Sequence, residues 1–355
     1  MSISRNKAGL MGLAALAALG GVLIVLVGSP AHARSGRVHV SAAACNRAAS
    51  VSGSDSQPGT VARPFRTIEK LAERLRPGQV GCLLGGTFEQ DVFLRHGGAT
   101  GRPITLMSAP GRRATIVGSF DVGPDANNVV IKNLRLEGRG GASPQVNGDR
   151  VTFRGNEITN DHTGICVLLG AGFEDGYGVA RDIVIDHNHI HDCGRLPAAG
   201  HDHGIYVEGT ENVRITNNVI YDNADYAVQL YPNAQRTYVA RNIMDGNGGG
   251  VIFAGEKAGG EYRNAYASSN NVVRNNVISN SREYHNVESS WGGPVGTGNV
   301  ATRNCVWNGA DGNISDPVGF LASKNVVARP AFRNRAAGDF RLMHRSVCRR
   351  IRWGR

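Results

Sequence analysis

Between positions 201 and 208 the chain runs His201-Asp202-His203-Gly204-Ile205-Tyr206-Val207-Glu208, bringing two imidazoles, two carboxylates and a phenol into one short segment. Asp161-His162 lies upstream, and Asp225, Gln229 and Tyr231 lie downstream. Six of the eleven histidines (162, 187, 189, 191, 201 and 203) fall in this part of the chain. Side chains of these types can take up and return protons beside a reacting carbon. A pair of the carboxyls can instead protonate a leaving oxygen while the other activates water or attacks. His189 and His191, at i and i+2, would face the same side of a strand, but no carboxylate or cysteine completes a zinc-like set with them.

The elements that must position these residues come from an internal repeat with the frame apolar-x-x-Asn-x-apolar. It occurs at Phe153–Ile158, Ile185–Ile190, Ile215–Ile220, Val239–Met244, Val273–Ile278 and, more weakly, Ala301–Val306. An earlier copy, Ile131–Leu136, has its Asn one place sooner. Equivalent positions, from 134 to 304, are spaced by 22, 32, 30, 24, 34 and 28 residues. The short intervals suit one coil of a parallel β-solenoid, and the long ones imply loop insertions. Stacked Asn amides can bond from coil to coil at a strand spacing of about 4.8 Å, so these asparagines are assigned to structure.

Each Asn is followed by a second alternating segment, such as Gly164–Val167, Gly204–Val207, Ala227–Leu230 and Gly250–Phe253. With their apolar residues inside, alternation places Cys166, Tyr206, Gln229 and Ile252 in one outward column. Leu168, Glu208, Tyr231 and Ala254 form the next, and His162, Asp202 and Asp225 a third. Upstream, Ile68, Leu71, Ala72 and Leu75 have helical spacing and Pro77-Gly78 ends it, which predicts a short helix capping the first coil. Domain bounds follow as 1–33 (a segment removed or retained as an anchor), 34–110 (cap and first coils), 111–330 (repeats) and 331–355 (C-terminal cap or tail).

Arg5 and Lys7, an apolar run from Ala8 to Gly28, and Ala31-His32-Ala33 match a secretory signal peptide. The run is longer than usual, so a membrane anchor is the alternative; either way the protein is expected to be secreted or at the cell surface. The six cysteines then suggest disulfides, and chain order gives Cys45–Cys82, Cys166–Cys193 and Cys305–Cys348. The net charge is +10, carried mostly by Arg, which can steer an acidic polymer. Nucleic acid is not expected, because no recognised motif or basic-aromatic ladder accompanies the charge. The Gly-rich stretches at 248–250 and 255–260 lack a phosphate-loop arrangement, and Trp291, Trp307 and Trp353 share no spacing.

Ser52–Thr60, Pro64–Ile68, Pro77-Gly78, Gly86–Phe88 and Gly101–Thr105 resemble the amino-terminal cap of bacterial right-handed parallel β-helix proteins, including lyases of pectate, alginate and chondroitin-type chains. The later coils resemble the repeat shared with alginate epimerases, and the likeness spans about residues 45–345. It implies an all-β, single-stranded right-handed β-helix, with the 204–207 segment on a first sheet where substrate grooves lie. An acidic polysaccharide would then be the partner of a monomer, acted on by β-elimination or epimerisation. In that reading His203 or Tyr206 is the base, and His201 or His162 donates a proton. Arg or bound Ca²⁺ near Asp161, Asp202 and Asp225 holds the substrate acid, and Lys257 anchors a carboxylate. The catalytic Lys of calcium-dependent pectate lyases has no counterpart here, so no family catalytic residue is carried over. Two alternatives remain: a non-catalytic glycan binder that stacks sugars on Tyr206 and Tyr231, and a hydrolase drawing on Asp161, Asp202, Glu208 and Asp225. The insertions at 170–181 and 195–201 are expected to flank the groove.

Overall fold

The structure, a computed structural model, describes residues 45–353. The expected signal segment lies outside them. Among the described residues no helix is long and apolar enough to cross a membrane.

Three parallel sheets run the length of the solenoid. The first holds eight parallel strands from Val92–Leu94 to Val287–Trp291, with Tyr266–Ala267 added antiparallel. Eleven strands from Arg47–Ala49 to Phe320–Ser323 make the second, and ten from Gly86–Glu89 to Val326–Val327 the third. Pairing is coil on coil: Ile131, Phe153, Ile185, Ile215, Val239, Val273 and Ala301 stand in one register and are all fully buried. Stacking like residues in this way gives a continuous apolar core that no single coil could bury alone.

The Asn frame forms the turn between the second and third sheets. Asn156, Asn188, Asn218, Asn242, Asn276, Asn304 and Asn325 make a ladder in which the backbone N–H and the Nδ2 of one residue both donate to Oδ1 of the next. Before each stands a residue with left-handed φ, such as Gly155, His187, Asn217, Arg241 and Asn275. That one residue turns the chain sharply, and the Asn amide then satisfies backbone groups that the corner removes from the ladders. Shorter ladders, Asn223–Asn247 and Asn271–Asn299, serve other corners.

The capping helix forms at Ile68–Glu73, with the Thr67 hydroxyl accepting from Lys70 N and Ile68, Leu71 and Ala72 buried. All three disulfides join the pairs expected from chain order. Strand ladders cross residues 110–111 without a break, so the cap and the repeats share continuous sheets. The segment from 331 onward holds a hairpin and a helix. Its hairpin (Phe332–Asn334 with Asp339–Leu342) and helix (Val347–Trp353) fold back along the outer face of the third sheet. Phe340 packs 4.8 Å from Tyr221, and Cys348 is tied to Cys305.

Candidate active site

On the outer face of the first sheet the register runs Phe93, Asp121, Gln145, Leu168, Tyr206, Gln229, Ile252, Glu288. Leu168, not Cys166, therefore neighbours Tyr206. The strand of that coil begins only at Val167, and Cys166 is drawn inward to Cys193. Glu208 and Tyr231 share the second column as expected. His162 does not stand in a column with Asp202: it sits in the preceding turn at φ 58°, its Nδ1 3.0 Å from the Gly194 carbonyl, beside exposed Asp161.

The third column is structural. Asp225 is fully buried and accepts N–H bonds from Gly200, His201 and Asp202 at 2.7–2.9 Å, fastening the 195–201 loop. Asp202 is buried against Arg195, whose Nε and Nη2 donate to it at 2.5 and 3.0 Å. Burial works to raise the Asp202 pKa, but the bonds from Arg195 outweigh it and hold the group below the usual range. His203 is buried, packs against Tyr206 and Tyr226, and accepts a long bond from Tyr226 N–H. Burial pushes its pKa down. All three are buried and already engaged by groups of the protein, so their side chains hold the local structure together. His201 and Lys257 are exposed on loops, and Gln229 is half-buried between Tyr206 and Ile252.

What does converge lies one step further along the strands. Tyr206 and Tyr231 stack with centroids 6.2 Å apart, and Tyr262 meets Tyr231 edge-on at 6.0 Å. The Tyr231 hydroxyl is 2.7 Å from Glu256 Oε2 and 3.1 Å from Glu261 Oε2. Tyr262 hydrogen-bonds both Tyr206 and Glu208. Glu208 and Glu261 line a cavity of about 230 Å³ with Phe173, Glu174, Asp175, Tyr262 and Arg263. Burial pushes the Glu208 carboxyl up to about 7, against hydrogen bonds from Tyr262 and Gly172 and with help from the nearby charges of Glu261 and Asp175. Tyr206 is pushed well up by burial and by Tyr262.

Two insertions roof this cluster. The 170–178 loop presents Glu174, which accepts from Arg263 N (2.7 Å), Asn264 N (3.1 Å) and Tyr266 Oη (2.9 Å) of the 257–266 loop, three coils on. Phe173 stacks on Tyr262 at 5.5 Å and rests on Gly209, where a Cβ would come 2.2 Å from its ring. The insertions at 170–181 and 195–201 thus flank opposite ends of the strands, whereas in the second clasp, 257–266, the sequence pattern singles out Lys257 alone. Glu256, which ends the strand Gly249–Glu256, and Glu261 and Tyr262 of the loop lie in or beside a Gly-rich stretch, a composition that also fits plain turns. The position of Glu256, two residues after the apolar run Val251–Ala254 of the first sheet, is the signal for it. Among the described residues no three His, Cys, Asp or Glu side chains gather as a metal site requires, so no calcium ligands are assigned.

Stacked parallel coils, Asn ladders at the corners and a roofed groove on the first sheet define a parallel β-helix with a pocketed outer face. The chain belongs to the right-handed β-helix family, whose model, "Right handed beta helix region", matches residues 122–323. An uncharacterized Bacillus subtilis protein, YwoF, is 26% identical over 318 residues, covering 64% of this chain and 67% of that one. Pectate lyase Pel9A is similar in fold at TM-score 0.51 and 12% identity, over 85% of this chain and 90% of that one. The GH136 lacto-N-biosidase of Eubacterium ramulus is similar at TM-score 0.51 and 13% identity, over 79% and 63%. At these identities the likeness to the solved structures is one of fold.

Proposed function

We propose that this is an exported glycan-processing enzyme that hydrolyses a glycosidic bond at the roofed groove, with Glu208 as the general acid and Glu261 as its partner carboxylate. The carrying observation is a buried carboxyl pushed up to about 7, sharing a small cavity with a second carboxylate and flanked by stacked tyrosines. Such a group keeps its proton near neutral pH and can pass it to the leaving oxygen, while Glu261 activates water or attacks the sugar carbon. Water supplies the atoms that complete the two products. Tyr206 and Tyr231 offer flat apolar faces to the ring, and their hydroxyls orient the carboxylates.

Charge argues for this reading over elimination from a uronate. Glu174, Glu208, Glu256 and Glu261 crowd the cluster, and Arg263, among the described residues the one cation lining its cavity, is flanked by Glu174 and Asp175, so carboxylates outnumber it there. A substrate carboxylate would meet like charge where elimination needs a cation. The groove instead suits an uncharged sugar. Export rests on the apolar N-terminal run and on three disulfides, which persist in oxidising compartments.

Incubating the protein with neutral oligosaccharides and with polyuronates, and following reducing ends alongside absorbance near 235 nm, tests the assignment. New reducing ends from a neutral substrate, without absorbance, are expected. Absorbance growing on a polyuronate would replace hydrolysis by elimination, and no product from any substrate would leave a binding protein.

A further inference from the structure

The chain's positive charge is not spread evenly. Residues 329–355 contain nine arginines against one acid, Asp339, so this stretch carries net +8 in a chain of net +10. Where the stretch folds back over the third sheet it encloses a cleft of about 910 Å³, at the upper end of the range for ligand sites, which is about 300–1,000 Å³. Arg282, Arg329, Arg335 and Arg345 line it, with Trp307 and Phe332.

These arginines differ in what they already hold. Arg335 Nε donates to buried Asp245, and Arg282 Nη2 donates to the Asn223 carbonyl at 2.9 Å while lying 3.7 Å from Asp222. Both are thereby fixed at the cleft wall with further N–H groups left to offer, since a guanidinium carries five. Arg329 and Arg345 are exposed at its mouth, and among the described residues no carboxylate pairs with either. No Asp or Glu lines the cleft. Asn308 adds an amide whose Nδ2 donates to Asn280, while Asn280 and Ser281 are bonded to Asp245 and Asn286, and the half-buried Trp307 adds a ring.

We propose that this cleft binds an anionic polysaccharide, the guanidinium groups pairing with its carboxylate or sulfate groups and Trp307 packing against a sugar face. Planar guanidinium forks match such anions, and the exposed Asn308 amide oxygen can accept from a sugar hydroxyl. A nucleic acid shares the charge but calls for a series of aromatic platforms along a basic track, and the cleft offers one tryptophan and one partly covered phenylalanine. The site lies on the third sheet, away from Glu208 on the first. It would hold the protein on an acidic matrix while the roofed groove works on another chain.

Affinity of the purified protein for polygalacturonate, dextran sulfate, neutral dextran and a DNA duplex, measured at several salt concentrations, tests this. The expected result is salt-sensitive binding of polygalacturonate or dextran sulfate, with little binding of neutral dextran. Arg329→Gln/Arg345→Gln should weaken that binding at least about tenfold with an unchanged circular dichroism spectrum, given two lost charge-assisted contacts. Preference between the two anionic polymers identifies the anion as carboxylate or sulfate. Glu208→Gln should leave the binding intact, so failure of the hydrolase reading would not affect it. Undiminished binding by the double variant overturns the proposal, as does tighter binding of DNA through the same two arginines.

Discussion

The rings of Tyr206 and Tyr231 lie nearly parallel, 15° between planes, although the two residues sit on neighbouring coils and two places apart in register. Parallel strands at about 4.8 Å are too close for a sugar between the rings, so the pair presents one extended face. Tyr231 is further tied to Glu256 and Glu261. A hydroxyl has one proton to give, so it donates to one carboxylate at a time and couples the orientation of both.

Tyr231→Ala should therefore weaken oligosaccharide binding about tenfold, close to 1.4 kcal/mol, as expected for a buried aromatic anchor. Tyr231→Phe keeps the ring and frees the carboxylates, so it should bind well and turn over slowly. Titration calorimetry and initial rates on the two variants separate these effects.

The raised pKa of Glu208 has a consequence for stability. Its carboxyl ionises near 4.5 when unfolded and near 7 when folded. The folded state therefore holds the proton more tightly, and stability should fall as pH rises from about 4.5 to 7 and then level off. Glu208→Gln has no proton to lose and should be more stable than the parent at pH 8 and similar at pH 4. Urea unfolding across this range checks the sign; a parallel pH dependence in both proteins would refute it.

Asn218 sits in the middle of the corner ladder, fully buried, donating to the Ile185 carbonyl and Asn242 and accepting from Asn188. Asn218→Ala strands several buried groups at once and should cost about 2–4 kcal/mol. Asn325, at the ladder's last rung, has no further Asn above it in this series and is half-buried. Its Ala variant should lose clearly less in the same unfolding experiment.

Replacing Cys305 and Cys348 together by Ser should release the C-terminal helix from the third sheet. The bond closes a 43-residue separation, and a loop of that size is worth about 3–4 kcal/mol in the chain-entropy account. Faster proteolysis of the segment after residue 331, with the coils intact by circular dichroism, is the expected outcome.

The fold was legible because a solenoid writes the same physical requirement many times. An apolar pair flanking a buried Asn recurs at 156, 188, 218, 242, 276 and 304, each copy reinforcing the others. Chain order also gave the cysteine pairs: Cys45–Cys82 and Cys166–Cys193 join segments close along the solenoid, and Cys305–Cys348 ties the folded-back C-terminal helix to the third sheet. The site was half legible. Alternation placed Tyr206, Glu208, Gln229 and Tyr231 on the outer face, but it could not show that Asp202 faces Arg195 or that Asp225 holds a loop. Those outcomes depend on where insertions fold, and insertions have no repeat. Glu174 and Tyr266 meet across 92 residues of sequence, a contact without local pattern. Cys166 falls outside the outward column because that strand starts at Val167, three residues after Gly164, and Val167 rather than Ile165 stands opposite Ile205.

The central claim is that Glu208 delivers the proton to the leaving oxygen. Rates of Glu208→Gln on a substrate hydrolysed by the parent enzyme, compared with a dinitrophenyl glycoside of the same sugar, test it most directly. An acid is needed for a poor leaving group and dispensable for a good one. The account predicts a loss of about 10²–10⁴-fold on the natural linkage and near-parent rates for the first step with the dinitrophenyl glycoside. Equal losses on both, or no loss on either, would contradict it.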